Sequence, residues 1–357
     1  MKLSINKNTL ESALALCASL AEKKDDSAIN SHLLLEANDD KLIIKATDYE
    51  FGISYKITKL KIEENGFATA QAKNILEMVK SLANEDILIE TVENSLFIKQ
   101  KYTKYKLSMF DYKDFPELQN KEGKDRLELD SDNLRIGLKK TVFAIDNDNP
   151  KPSLNGALIN VKNDRINFVG TDTKRLAIYT VMKENQTEFN LSIPKKSIIE
   201  MQKLFYEKVE LFADKNVLIM KSESDNFEFF TKLINDTFPD YEKVIPKKIS
   251  KEFSFKTEDF ADSLKKVSVA CDKMKLHFKK NKLVFEGIII DNMEAKTELD
   301  LELDLEEEFS LNITIKHLLD FINSIEADEF KFFINEPNQA FVIRSDELET
   351  IIMPAIV

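Results

Sequence analysis

Apolar and polar residues along the chain follow two periods that succeed one another in a fixed order. Leu3-Ser4-Ile5 alternates at every second residue, as in a half-buried strand, and leads into Leu10 and Leu14, spaced by four as on one face of a helix. The same opening returns as Leu127-Glu128-Leu129 with Leu134 and Leu138, and again as Phe253-Ser254-Phe255 with Phe260 and Leu264. Polar residues suited to a helix N-terminus separate the two periods each time, so a strand followed by a helix is predicted at all three places.

The next unit also recurs. Residues 33–44 form two β-rich runs about Asn38-Asp39-Asp40 and end at Thr47-Asp48; residues 157–169 do the same about Lys162-Asn163-Asp164 and end at Thr171-Asp172. A shorter third copy, 276–285, turns at Lys280-Asn281. These are predicted hairpins. A second helix follows in each repeat, at Lys73-Asn74-Ile75-Leu76-Glu77-Met78, Lys196-Ser197-Ile198-Ile199-Glu200-Met201 and Lys316-His317-Leu318-Leu319-Asp320-Phe321. Two more strand runs come after it, and the repeats close on Phe115-Pro116, Phe238-Pro239 and Met353-Pro354.

The pattern predicts an α+β fold built from three tandem copies of one domain, each with two helices and antiparallel sheets. The domains are expected at 1–121, 122–247 and 248–357, with polar, lysine-rich linkers near 120–124 and 246–251. The six helices are predicted at 7–20, 72–82, 131–145, 194–205, 257–270 and 315–325. Helix and strand alternate twice within each repeat, which suggests an older duplication inside it.

Composition narrows the function. The chain has 357 residues, of which 43% are hydrophobic, and no apolar run long enough to span a membrane. The start of the sequence enters a strand pattern directly, without the apolar core of a signal peptide. Cys17 and Cys271 are far apart, so a reduced, cytoplasmic protein without structural disulfides is expected. Seven glycines occur singly, which leaves no phosphate-cradling loop, and His32, His277 and His317 lack metal-ligand spacing. Thr47-Asp48 and Thr171-Asp172 occupy equal places after hairpins, which favours a turn role over a catalytic one. No catalytic residue, cofactor or metal is expected.

A net charge of −12 argues against nucleic acid only if it is evenly spread. The six predicted helices together are slightly positive and the remainder is strongly acidic. Lys73, Lys80, Lys139, Lys140, Lys196, Lys203, Lys265 and Lys266 lie beyond the acidic first turns. For one helix this is an ordinary solvated face; recurrence across repeats points to phosphate contact. Residues 299–305 alternate leucine with acid, the pattern of a strand with one acidic, solvent-facing side.

Several separated runs carry a resemblance to a known family. They are Ser153-Leu154-Asn155-Gly156, the run from Val169-Gly170-Thr171-Asp172 through Thr173-Lys174-Arg175-Leu176-Ala177, Phe238-Pro239-Asp240-Tyr241, Asp114-Phe115-Pro116-Glu117-Leu118, and the closing Ile351-Ile352-Met353-Pro354-Ala355-Ile356-Val357. In this order and over the whole chain, the sequence resembles bacterial sliding clamps, the beta subunit of DNA polymerase III. The resemblance implies a head-to-tail homodimer, each chain forming half of a closed ring around duplex DNA, with helices facing the hole. Contacts to DNA would then be topological and independent of sequence. The residues implied as DNA-facing are Lys24, Lys73, Lys80, Lys151, Lys196 and Lys203, to which the helix pattern adds Lys140.

The resemblance further implies a groove for a short linear motif. It would be lined by Leu154, Thr171, Thr173, Lys174, Arg175, Leu176, Pro239, Lys243, Val244, Ile351, Met353, Pro354 and Ala355. The replicative polymerase alpha subunit, clamp loader, repair polymerases, ligase and mismatch-repair proteins would compete for it. Thr173-Lys174 stands where the family commonly has Gly-His, Ala355 where a second Met is frequent, and Pro152-Ser153 where aromatics are common. The first two departures imply a reshaped groove rim; the third takes away side chains that would contact DNA there. Two other readings have discriminators: a scaffold of the same fold would not be retained on circular DNA, and a hydrolase would show turnover.

Overall fold

The structure is a computed structural model and describes residues 1–25, 27–247, 249–288 and 294–356. Lys248 and Val357, the two ends of the expected third domain, lie outside the described residues. Each repeat is a strand, a helix and three strands, followed by the same series again, with one extra strand, Leu60–Glu64, in the first. The helices are α1 (Lys7–Leu20), α2 (Ala72–Lys80), α3 (Ser131–Thr141), α4 (Lys195–Met201), α5 (Thr257–Ser268) and α6 (Ile315–Ile322).

The chain forms two compact units. The first holds Met1–Asp132 and Lys196–Leu233. Its five-stranded antiparallel sheet runs in the order Leu60–Glu64, Lys2–Asn6, Asp86–Val92, Ser95–Gln100 and Thr103–Ser108. Its eight-stranded sheet joins two repeats, because Phe227–Lys232 pairs antiparallel with Phe51–Ile57. α1 buries Leu10, Ala13, Leu14, Cys17 and Leu20 along one stripe, and the Asn6 side chain caps its first turn by accepting from the Asn8 amide.

The second unit holds Asn133–Lys195 and Ile234–Val357. Its eight-stranded sheet again crosses repeats, through the antiparallel pair Arg175–Met182 and Leu348–Ile352. One face of that sheet belongs to a phenylalanine-rich core with α5 and α6, including Phe255, Phe260, Phe278, Phe321, Phe330 and Phe332. The other face carries a smaller cluster of Leu158, Val169, Leu176, Ile178, Tyr241, Phe333, Val342 and Ile351. The four-stranded sheet runs Lys296–Asp300, Lys282–Gly287, Lys273–Lys279 and Phe309–Thr314.

Three elements depart from the sequence expectation. α3 stops at Thr141, where the Thr141 hydroxyl donates to the Gly137 carbonyl and a 3-10 turn, Val142–Ala144, takes over. α4 ends at Met201, and the expected last turn becomes tight bonds from Lys203 to Glu200 and from Leu204 to Met201. The strand expected over 299–305 stops at Asp300, because its partner strand begins at Lys282 and the chain runs past the Lys280-Asn281 turn. Beyond that point Leu303 and Leu305 remain buried while Glu302 and Asp304 are exposed, so the alternation is kept without the ladder.

Candidate functional site

The site in the second unit is built on a four-residue turn. Thr171 donates its hydroxyl to the Arg175 carbonyl at 2.7 Å, and the Asp172 carboxylate accepts from the amides of Lys174 and Arg175 at 3.0 and 2.9 Å. The first unit repeats the turn: Thr47 donates to the Phe51 carbonyl, and Asp48 accepts from Glu50 and Phe51. Both turns hold their third residue in the left-handed region, Thr173 at φ 73° and Tyr49 at φ 75°. The equal Thr-Asp pairs are thus turn formers, as their spacing suggests.

The turn delivers the strand Arg175–Met182, on which Leu176 lies opposite Ile351. Both are buried, as is Leu154 in the 3-10 turn Pro152–Asn155, so these three are packed wall and floor rather than open surface. Exposed apolar surface comes instead from Val244, 55% exposed, and Met353, 50% exposed. Pro239, Thr171, Pro354 and Ala355 are partly buried; Thr173, Lys174 and Lys243 are exposed. The last segment is held by Met353 donating to the Lys174 carbonyl at 2.9 Å and Ala355 donating to Asn312 at 2.8 Å. Lys243 pairs with Asp240 at 2.8 Å, which holds that carboxyl below its ordinary range.

Arg175 does something its place in the motif does not reveal. Its guanidinium is buried and turned inward: it binds Asp172 at 3.1 Å, Asp320 of α6 at 2.7 Å and the Phe143 carbonyl at 2.7 Å, with its carbon 5.3 Å from the Phe143 ring. It positions the groove strand rather than lining the groove. Beside it, burial lowers the basicity of His317, and Arg175 adds to the effect. Burial likewise lowers that of Lys195, whose ammonium donates to the Ile145 carbonyl at 2.7 Å. Asp320 is a support the sequence reading missed, and Asp172, read there as a turn former, also binds the Arg175 side chain.

The first unit has the same construction with its groove filled. Gly52 stands where Leu176 stands, and Phe230 faces it where Ile351 faces Leu176. A Cβ on Gly52 would lie 2.6 Å from both the Ala46 carbonyl oxygen and Phe230 Cε1, so the phenylalanine ring occupies the space.

The candidate lysines divide by environment. In the first unit Lys24, Lys73, Lys80, Lys196 and Lys203 are all exposed, with Lys73 and Lys80 seven residues apart along α2 and so on one side of it. Lys80 pairs with Glu77 at 3.1 Å, Lys203 with Glu200, and Lys196 with Asp48 while lying over the Phe51 ring. Among the described residues Lys24 and Lys73 make no ion pair. The Lys80–Glu77 pair is exposed on both sides and weak, about 0–1 kcal/mol, so it yields readily to a phosphate, whereas Lys196 and Lys203 are exposed cations held on buried carboxylates. In the second unit Lys151 is exposed, but Lys140 is half-buried and donates to the Ser324 carbonyl just past α6. That contact makes Lys140 a helix-end support and removes it from the open lysines.

His277 bridges Ser310 at 2.8 Å and Glu286 at 2.9 Å, but all three stand on adjacent strands whose backbone amides belong to the sheet ladder, which leaves no oxyanion donors. Among the described residues no group of three His, Cys, Asp or Glu could hold a metal, and no helix is long and apolar enough to cross a membrane.

Comparison with known proteins agrees with this geometry. The family models of the DNA polymerase III beta subunit match in order: the N-terminal domain at residues 1–119, the central domain at 128–240 and the C-terminal domain at 242–355. A Helicobacter pylori protein named beta sliding clamp is 35% identical over 354 residues, covering 96% of this chain and 94% of its own length. The crystal structure of the Helicobacter pylori beta clamp bound to a DNA ligase peptide superposes with a TM-score of 0.91 at 33% identity, with both chains covered completely. The Pseudomonas aeruginosa beta subunit, at 22% identity, gives a TM-score of 0.92 and so shares the fold. The chain belongs to the bacterial sliding clamps, the beta subunits of DNA polymerase III.

Proposed function

We propose that the groove at Leu176 and Ile351 and the exposed lysines are the two working surfaces of this clamp. A sliding clamp performs no catalysis; it encircles duplex DNA and tethers the polymerase. The lysines to which we assign the phosphate contacts are Lys24, Lys73, Lys80, Lys151, Lys196 and Lys203. Weak, sequence-independent contacts suit them, because encirclement supplies retention while tight contacts would slow sliding. The groove, with Val244, Met353, Thr173 and Lys174 on its rim, would take a short apolar peptide. The ligase peptide on the Helicobacter pylori clamp supports that reading. The other partners would be the polymerase alpha subunit, clamp loader, repair polymerases and mismatch-repair proteins, in the cytoplasm. The domains would divide at 121/122 and 247/248.

The observation that carries ring closure is internal. Equivalent strands are joined twice within the chain, Phe227–Lys232 with Phe51–Ile57 and Arg175–Met182 with Leu348–Ile352. The third pair of equivalents, Thr103–Ser108 and Lys296–Asp300, are both open sheet edges. One edge carries Lys104 and Lys106, the other Glu298 and Asp300. Pairing each with the opposite edge of a second copy gives a head-to-tail dimer that closes. The test is retention on nicked circular DNA with the cognate loader and ATP, before and after linearisation. Stable retention on circles with rapid loss from ends is expected, and a Lys73→Glu/Lys196→Glu variant should be lost faster from circles. Equal loss from circles and linear DNA with an active loader would overturn encirclement.

A further inference from the structure

The second unit contains a cavity of about 340 Å³ that none of the groove residues lines. It sits behind the 3-10 turn Tyr241–Val244. Lys243 and Val244 of that turn belong to the groove rim, whereas Tyr241 and Glu242, with Ile245 after them, wall the cavity. The turn is therefore a partition. It is fixed in place, since the Tyr241 hydroxyl donates to Asn160 at 2.8 Å and accepts from Asn167 at 2.9 Å, while Thr180 donates to Asn167 at 3.0 Å. The two spaces share strands: Leu176 and Ile351 on the groove side give way to Ile178 and Glu349 on the cavity side. At about 3.3 Å per residue, a peptide seated in the groove needs only about four extended residues to pass from Leu176 to Thr180.

We propose that this cavity accepts a lysine or arginine side chain from the segment flanking a groove-bound peptide. The inference rests on the groove reading above and extends it. The floor is apolar, from buried Ile178 and half-buried Ile245, with Met182 exposed at the margin, and suits the aliphatic stem of a long basic side chain. The rim selects the charge. Both arginines on it are already engaged, Arg344 by Glu349 and Arg165 by Asp164 at 3.4 Å. Glu242 is engaged by Lys162. Asp346 and Glu347, at the tip between the strands Phe341–Ser345 and Leu348–Ile352, have no cation among the described residues. An incoming ammonium or guanidinium would complete their pairing; an acidic flank would be repelled.

The experiment measures binding of fluorescent peptides to the intact protein by anisotropy. The probe is a synthetic peptide with the groove-binding sequence of a DNA ligase, unflanked or extended on either side in turn by two Lys, Ala or Glu residues. On one side, the Lys-flanked form should bind about 3- to 10-fold more tightly than the Glu-flanked form at low salt. The difference should vanish in Asp346→Asn/Glu347→Gln and persist in Glu306→Gln/Glu307→Gln, which removes the same charge from the 301–308 segment. Asn is well tolerated at position 346, whose φ is 47°. Equal affinity of Lys- and Glu-flanked forms, or a difference that survives Asp346→Asn/Glu347→Gln, overturns the cavity proposal. Absence of binding by the unflanked peptide overturns the groove reading itself, and the cavity proposal with it.

Discussion

Single residues show where the sequence speaks and where it is silent. The Thr-Asp pairs could be read as turns because their reason is local: a hydroxyl and a carboxylate meeting amides two to four residues away. Arg175 could not, because its partners Phe143 and Asp320 are distant in sequence and only the fold brings them to it. Lys140 and Lys196 are similar cases, each meeting a group more than a hundred residues away. His317 gives the pH dependence at this scale. Burial disfavours the charged form of its imidazole in the folded protein, with Arg175 and Lys174 opposing the charge further and Asp172 and Asp320 favouring it. An unfolded chain protonates histidine near pH 6.5, so below that pH the unfolded state holds more protons. The contribution is complete above about pH 6.5 and is lost as pH falls toward the lowered native value, at no more than about 1.4 kcal/mol per pH unit. Urea unfolding at pH 7 and pH 5 should therefore show a smaller stability loss for His317→Gln than for wild type; equal losses would remove this assignment.

At the scale of elements, all six helices and the three hairpins were legible because their periodicity is strong. Their ends were less so: nothing in a hydrophobic pattern marks the Thr141 back-bond or the point where a strand outruns its neighbour. The contrast between the open and the filled groove was also hidden, since Gly52 and Leu176 acquire meaning only once Phe230 and Ile351 are found opposite them. That contrast predicts a mutational pattern. Gly52→Leu alone should destabilise by about 3 kcal/mol or more, because its Cβ would press on the Ala46 carbonyl as well as the Phe230 ring, and Phe230→Ile alone by about 1–3 kcal/mol through the space it leaves. Combined as Gly52→Leu/Phe230→Ile, which copies the other junction, they should lose clearly less than the sum. Chemical denaturation of the three variants reads this directly, and simple additivity would mean that the two junctions are not built alike.

On the scale of the molecule, the three repeats were plain in the sequence, but the sheets that cross between them were not, because strand pairing between repeats leaves no periodic mark. The compact units consequently cut through the middle repeat instead of following the linkers. Charge is organised at this scale too. If the open edges close a dimer, Lys104→Glu/Lys106→Glu should weaken it about tenfold or more, and Glu298→Lys/Asp300→Lys in the same chain should restore much of the loss. Sedimentation velocity at low and high salt checks this; an unchanged monomer–dimer equilibrium would place the interface elsewhere.

The crossing sheets also bear on how the protein is made. Phe51–Ile57 pairs with Lys41–Thr47 on one side but finds its second neighbour only when Phe227–Lys232 arrives, and the ion pair between Lys56 and Asp225 beside these strands spans 169 residues. At about 5–20 residues per second, a ribosome takes roughly 10–30 s to supply the missing strand. Through that interval the first repeat presents a row of unpaired amides and carbonyls to everything around it, including other nascent chains with the same vacancy. The same wait recurs for Arg175–Met182 until Leu348–Ile352 is made, so synthesis of the middle and then of the last repeat are the steps at which this chain is exposed to pairing with the wrong molecule.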